Sequence, residues 1–152
     1  MKARIDSPVG GLMVEEADGA IVRLDWQDGP PIDPETDVLK SAVDQLRAYF
    51  DGSLTVFDLP LNPAGTSFQQ SVLAAMLAIP FGETRSYGDI AKDLGVPAQP
   101  IGQACGANPI PIIIPCHRVL AADGKLGGFS GRGGVETKVA LLRHEGAAGL
   151  LL

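Results

Sequence analysis

The sequence is short of the residues that build metal centres, disulfide frameworks and membrane spans. Its 152 residues include only two cysteines, Cys105 and Cys116, and two histidines, His117 and His144. Two thiols do not make a disulfide framework, and without an export signal they are expected to be reduced. No apolar run approaches the roughly 18 residues of a membrane span, and the N-terminal MKARID lacks the apolar core of a signal peptide. A cytoplasmic location is therefore expected. Positive charge is also scarce, with a formal net charge of −6. The deficit is local: residues 1–64 hold five Lys/Arg against twelve Asp/Glu, whereas residues 65–152 hold seven against six. Lys and Arg drive nonspecific DNA affinity by displacing counterions, so a near-neutral second part excludes a strong phosphate grip and allows weak, salt-sensitive binding.

What is present is enough apolar sequence for a core, 45% of the chain, in a mixed α/β (α+β) pattern. Three short strands are predicted at about 2–6, 11–16 and 20–26, with SPVGG and Asp18-Gly19 as turns, giving a β-meander. A helix from Glu35 to Phe50 follows, with Val38, Ala42, Leu46 and Phe50 at helical spacing and Gly52 as its stop. The stretch LPLNPAG, residues 59–65, reads as a linker. The predicted domains are thus 1–62, small and α/β, and 63–152, mainly helical. In the second, Ser67 and Gln70 resemble a capping box opening a helix that ends before Pro80. Ser86 can cap a helix Tyr87–Leu94 that Gly95 ends, and a second helix runs to Ala107 after a tight turn. The result is a helix-turn-helix pattern over about 86–107. Its second helix carries no charged side chain, and Gly102, Ala104 and Gly106 are small. It cannot read bases through arginine; it suits either close approach to a nucleic-acid backbone or close packing in a core.

Residues 108–120, NPIPIIIPCHRVL, read as an apolar strand between prolines that delivers Cys116, His117 and Arg118 at its end. A thiol must lose its proton to act as a nucleophile, and a neighbouring imidazole or cation favours that loss. Adjacent residues rarely hydrogen-bond directly, so His117 would act through a bridging water or a sharply turned backbone, with a carboxylate to orient it. The plainer reading keeps Cys116 as a buried small hydrophobe.

PCHRV at 115–119 resembles the active-site signature of the O6-alkylguanine-DNA alkyltransferases, also called methylated-DNA–protein-cysteine methyltransferases. The likeness runs from about Thr66 to Gly146 and includes GETRSYGDIA (82–91), GANPIPIIIPCHRVL (106–120), GGFSG (127–131) and LLRHEG (141–146), in the family's order and spacing. The first 60 residues are similar more loosely, consistent with the variable, ribonuclease H-like N-terminal domain of that family.

The resemblance implies direct-reversal DNA repair: one irreversible transfer of an alkyl group from a flipped O6-alkylguanine, with O4-alkylthymine as a further candidate substrate, to Cys116. His117 would take the thiol proton and Glu145 would hold His117. By itself Glu145 is notable, because a carboxylate at a helix C-terminus opposes the helix dipole; a solvated helix-end residue is the alternative. Tyr87 and Ser130 would donate toward the base, Val119 would contact it, and Asn108 would tie the recognition helix to the active-site turn. Their plainer readings are a core aromatic, a loop residue among glycines, an apolar core position and an Asn-Pro turn. Gln99, Gly102, Ala104 and Arg118 would face DNA. Family members usually have arginine where Gln99 stands, so weaker DNA affinity and slower base flipping are expected. The implied partner is double-stranded DNA containing alkylated guanine, met by a monomer, with no cofactor and no metal. Two other readings stay open: a binding module that recognises alkylguanine without repairing it, and a thiol alkyltransferase acting on small alkylated molecules.

Overall fold

A computed structural model describes residues 1–121, 125–129 and 131–147. The chain divides into two compact units, Met1–Ala64 and Gly65–Leu152.

In the first unit, β1 (Lys2–Ile5), β2 (Leu12–Ala17) and β3 (Ala20–Trp26) form an antiparallel sheet in sequence order. Ile5 pairs with Leu12 and Val14 with Leu24, so alternate apolar side chains share the buried face. The Asp18-Gly19 turn that joins β2 to β3 has both residues at positive φ, as a tight hairpin needs. Helix α1 (Asp37–Asp51) covers the sheet. Thr36 caps it by accepting from the Leu39 amide, and Gly52 ends it at φ 89°. Its buried stripe is Leu39, Ala42, Val43, Leu46 and Tyr49, one residue round from the stripe predicted through Val38 and Phe50. Tyr49 takes the inward place because its ring packs on both Phe50 and Phe57.

The second unit contains α2 (Ser67–Leu77), β4 (Arg85–Ser86), α3 (Tyr87–Leu94), α4 (Ala98–Gly106), β5 (Val119–Leu120) and α5 (Val135–Glu145). The box that opens α2 is Thr66 with Gln69, one residue earlier than Ser67 with Gln70. The Thr66 side chain accepts from the Gln69 amide, and the Gln69 side chain accepts from the Thr66 amide. Ser86 and Asp89 cap α3 in the same reciprocal way, and Gly95 closes it at φ 69°. Helices α3 and α4 pack together, forming the expected helix-turn-helix.

Residues 108–115 do not form the predicted strand. Pro109, Pro111 and Pro115 have no N–H for a ladder, and the segment instead folds into turns with one bridge between Pro111 and Ile114. Ile112 is fully buried at φ +72°, a strained conformation for a β-branched residue. Asn108 holds this loop together. Its amide donates to the Ile114 carbonyl at 2.8 Å, and its oxygen accepts from the Ile110 amide at 3.0 Å.

Candidate active site

The loop ends in a single 3-10 turn, Cys116–Arg118, and all three side chains point inward. Parallel pairing of β5 with β4 fixes the exit, with Val119 opposite Arg85. The turn is therefore clamped on both sides: by Asn108 before it and by a strand pair after it.

His117 is completely buried, and its Nε2 lies 2.7 Å from Glu145 Oε2. The carboxylate has no proton to give, so Nε2 carries the hydrogen and donates. Nδ1 is then the basic nitrogen, and it has no hydrogen-bond partner in the protein among the described residues. Burial holds the imidazole below its ordinary range, although Glu145 pulls the other way. The carboxylate cannot win because Arg118 already neutralises it: Arg118 Nε donates to Oε1 at 2.8 Å and Nη2 to Oε2 at 3.0 Å. The remaining guanidinium group donates to the Ile79 carbonyl at 2.7 Å, and Phe81 lies beneath the cation. The geometry thus yields a neutral histidine with a free lone pair.

Cys116 opens onto a pocket of roughly 370 Å³ lined by Tyr87, Gly102, Cys105, Gly106, Gly128 and Phe129. Burial pushes its thiol above the ordinary value, while the Asn108 amide and the Lys138 ammonium pull it down. The other thiol in the pocket, Cys105, is pushed up to about 12, by burial and then by Cys116. Tyr87 is raised by burial and by the two cysteines, so its hydroxyl remains a donor. Gly127 sits against this ring at φ +68°; a Cβ there would come within 3.2 Å of the Tyr87 hydroxyl oxygen. By contrast, a Cβ on Gly102 or Gly106 would meet none of the described residues within 4 Å. Packing among the described residues does not demand those two glycines; they leave the pocket wall open.

Several predicted site residues come together here: Cys116, His117 and Glu145 around the reactive turn, Asn108 behind it, and Tyr87 and Gly102 at the pocket. Gln99 is exposed near the start of α4. Two assignments need correction. Arg118 does not face DNA, because its guanidinium is buried and each of its nitrogens donates within the protein, to Glu145 or Ile79. Val119 has no exposed surface and is not among the described residues that line the pocket. Ala104 is 5% exposed and, with Phe68 and Gln69 of α2, lines a second groove. Ser130 lies outside the described residues. Sequence reasoning missed Cys105 and Phe129 as pocket walls, and it missed Lys138. Helical spacing was the available signal for Lys138, since it shares a face of α5 with the buried Leu141, Leu142 and Glu145. No group of three or more potential metal-ligating side chains occurs among the described residues.

A helix-turn-helix beside a buried cysteine, histidine and glutamate set defines a group-accepting thiol site on a nucleic-acid-binding scaffold. The chain belongs to the 6-O-methylguanine DNA methyltransferase family. Residues 67–147 match that family's DNA binding domain and residues 1–63 its ribonuclease-like domain. It is 48% identical to the methylated-DNA–protein-cysteine methyltransferase of Mycobacterium bovis, over 93% of this chain and 89% of the relative. Among solved structures, it is similar to Mycobacterium tuberculosis OGT in complex with DNA, with 47% identity, a TM-score of 0.84, and 94% and 91% of the two chains covered. The O6-methylguanine DNA methyltransferase of Methanococcus jannaschii is similar at 26% identity, with a TM-score of 0.66 over 100% of this chain and 96% of that one.

Proposed function

We propose that this chain repairs DNA by direct reversal, with Cys116 accepting the alkyl group of O6-alkylguanine once and irreversibly. The observation that carries the reading is the contact of His117 Nε2 with Glu145 at 2.7 Å: a carboxylate there accepts the Nε2–H hydrogen bond, leaving Nδ1 to accept the proton of the thiol on the preceding residue. Cys116 is not a preformed thiolate, so proton removal accompanies attack. The thiol proton passes to Nδ1, directly or through one water. The sulfur pair forms the S–C bond as the bond from that carbon to guanine O6 breaks, and the leaving pair stays on the guanine. A proton returned to the base balances the one removed. Tyr87, held protonated at the pocket, is the donor assigned to the leaving base. The product thioether has no good leaving group, so the protein is consumed.

The alkylated base must leave the stack to reach Cys116, at a cost of a few kcal/mol that its weak pairing lowers. The open glycine face of α4 gives it room, and Gln99 is an exposed polar residue on the same helix. No helix among the described residues is long and apolar enough to cross a membrane; a cytoplasmic monomer meeting double-stranded DNA is the setting proposed.

Intact-mass measurement after incubation with duplex O6-methylguanine tests the reading. One added methyl is expected, localised to Cys116, and none on the Cys116→Ala protein although Cys105 remains in the same pocket. No mass gain on the unaltered protein would favour a binding module. Transfer from free O6-benzylguanine but not from DNA would favour a small-molecule thiol alkyltransferase.

A further inference from the structure

Cys105 and Cys116 are the two cysteines of the chain, and alkyl transfer uses one of them. Both thiols are free, and both line the same pocket. Asn108 spans the space between them: its backbone amide donates to the Cys105 carbonyl at 3.3 Å, and its side-chain amide stabilises the Cys116 thiolate. The sulfurs also share one electrostatic environment, since Cys116 helps to raise Cys105 and the two together raise Tyr87. Around Cys105 the α4 wall is bare, because the neighbours that line the pocket with it are Gly102 and Gly106. A protein that reacts once is vulnerable at its acceptor. Oxidation of Cys116 beyond the sulfenic acid would consume it without repairing a lesion. A second thiol within reach stops oxidation at a disulfide, which a dithiol reverses.

We propose that Cys105 is a resolving thiol for Cys116, closing a reversible disulfide across the pocket when hydrogen peroxide oxidises the acceptor. In the first step the Cys116 sulfur attacks one peroxide oxygen and the O–O bond breaks. The thiol proton, taken up by His117, passes to the departing hydroxide as water, and Cys116 is left as a sulfenic acid. In the second step the Cys105 sulfur attacks the Cys116 sulfur, the S–O bond breaks, and the hydroxide leaves with the Cys105 proton as a second water. Two electrons have then passed from the thiols to the peroxide. Cys105 resists losing its proton first because of burial and then because of the Cys116 charge. A neutral sulfenic acid removes the second cause. The Lys138 ammonium, held by the Val119 and Gly128 carbonyls at 2.6 and 3.2 Å, continues to pull the thiol down. A disulfide needs its Cα atoms within about 7 Å of each other, and the give comes from the Cys105 side. Cys116 is clamped before and after its turn, whereas Cys105 lies in the last turn of α4, beside the exposed Gly106 and Ala107 where a helix end frays. While the bond stands, the acceptor is blocked; that loss of transfer rests on Cys116 as acceptor, and the bond itself does not.

The unaltered protein and Cys105→Ser are treated with a small excess of hydrogen peroxide, and remaining thiols are blocked with N-ethylmaleimide in denaturant. Intact masses are read before and after dithiothreitol. The unaltered protein is expected to lose the mass of two hydrogens, take up no maleimide, stay monomeric and return to its starting mass on reduction. Cys105→Ser has no partner thiol and should gain the mass of two or three oxygens at Cys116. Transfer from free O6-benzylguanine, scaled to each protein's own untreated rate, should recover after reduction at least about tenfold better in the unaltered protein than in Cys105→Ser. Thermal melts check folding, and Cys105→Ala takes the place of a serine variant that does not fold. Added oxygens on the unaltered protein without loss of two hydrogens overturn the proposal, and so does a disulfide that joins two molecules. Failure of the acceptor assignment is read separately, as no alkyl gain on the untreated protein, because the disulfide forms with no alkyl donor present.

Discussion

His117 and Glu145 meet at 2.7 Å with neither side chain exposed to solvent, although 28 residues separate them in sequence. The contact joins the reactive turn to the end of α5, and Arg118 completes it from the same turn. Replacing Glu145 by glutamine keeps the volume but leaves a buried guanidinium without its counter-charge. Breaking a buried pair from one side costs roughly 3–5 kcal/mol. Glu145→Gln is therefore expected to lower the denaturant midpoint of the second unit and to slow transfer strongly. An unchanged midpoint would show that the pair is not buried in solution.

The same contact sets a pH dependence. Folded His117 titrates below its ordinary value because of burial, while in the unfolded chain it titrates near 6.5. Between those two values the unfolded state binds more protons. Stability is consequently complete above about 6.5 and is lost as pH falls below it. Transfer from free O6-benzylguanine should fall as pH drops through the depressed folded value, where Nδ1 becomes protonated. A rate with no acid limb at any pH at which the protein is still folded by circular dichroism would remove His117 from the role of base.

Burial raises the Cys116 thiol, so the protein at rest should hold little thiolate. Alkylation by iodoacetamide at about pH 7.5 is expected to be slower than that of free cysteine at both Cys116 and Cys105, whose thiol is pushed up to about 12. Peptide mapping after timed quenching reads both sites. Faster labelling of Cys116 than of free cysteine would indicate a preformed thiolate and a proton already transferred.

Asn108 supports a strained loop, and its loss should be felt at the turn that follows. In Asn108→Ala the Ile110 amide loses its side-chain partner, at about 1–3 kcal/mol for a group left unpaired inside the protein, and the Ile114 carbonyl keeps the Cys116 amide alone. The φ of +72° at Ile112 then has less to hold it. Lower thermal stability and slower transfer are expected together. Slower transfer without destabilisation would mean that Asn108 acts on the thiol alone.

The elements with strong local signals were legible in the sequence. Ser86 and Gly95 bound α3 where their capping chemistry places them, and the β-meander followed from its turns and alternation. The linking of Cys116, His117 and Glu145 came from the family likeness, since no periodicity joins residues so far apart. What escaped was decided by tertiary packing. Arg118 looks like a surface cation until Glu145 and Ile79 are seen to surround it. Lys138 looks like an ordinary helix lysine until its two carbonyl partners appear. The apolar run at 110–114 has strand composition, but its prolines and the Asn108 side chain claim the backbone for turns.

The weak positive charge of the second unit has a measurable consequence at Gln99. Arg118 and Lys138 are buried and Arg85 pairs with Asp93 at 2.7 Å, which commits three of the unit's seven Lys/Arg inside the protein. Salt dependence of duplex binding should therefore be shallow. Gln99→Arg adds one exposed cation on α4, and a new ion pair with a phosphate should steepen the log-affinity against log-salt slope by about one. Single-turnover transfer from duplex O6-methylguanine should rise severalfold relative to transfer from free O6-benzylguanine, because the free base needs neither phosphate binding nor flipping. If the slope steepens while the ratio of rates stays fixed, the added charge improves docking only, and the position of Gln99 is not where the flipped base is replaced. If neither moves, α4 does not enter the duplex at this residue.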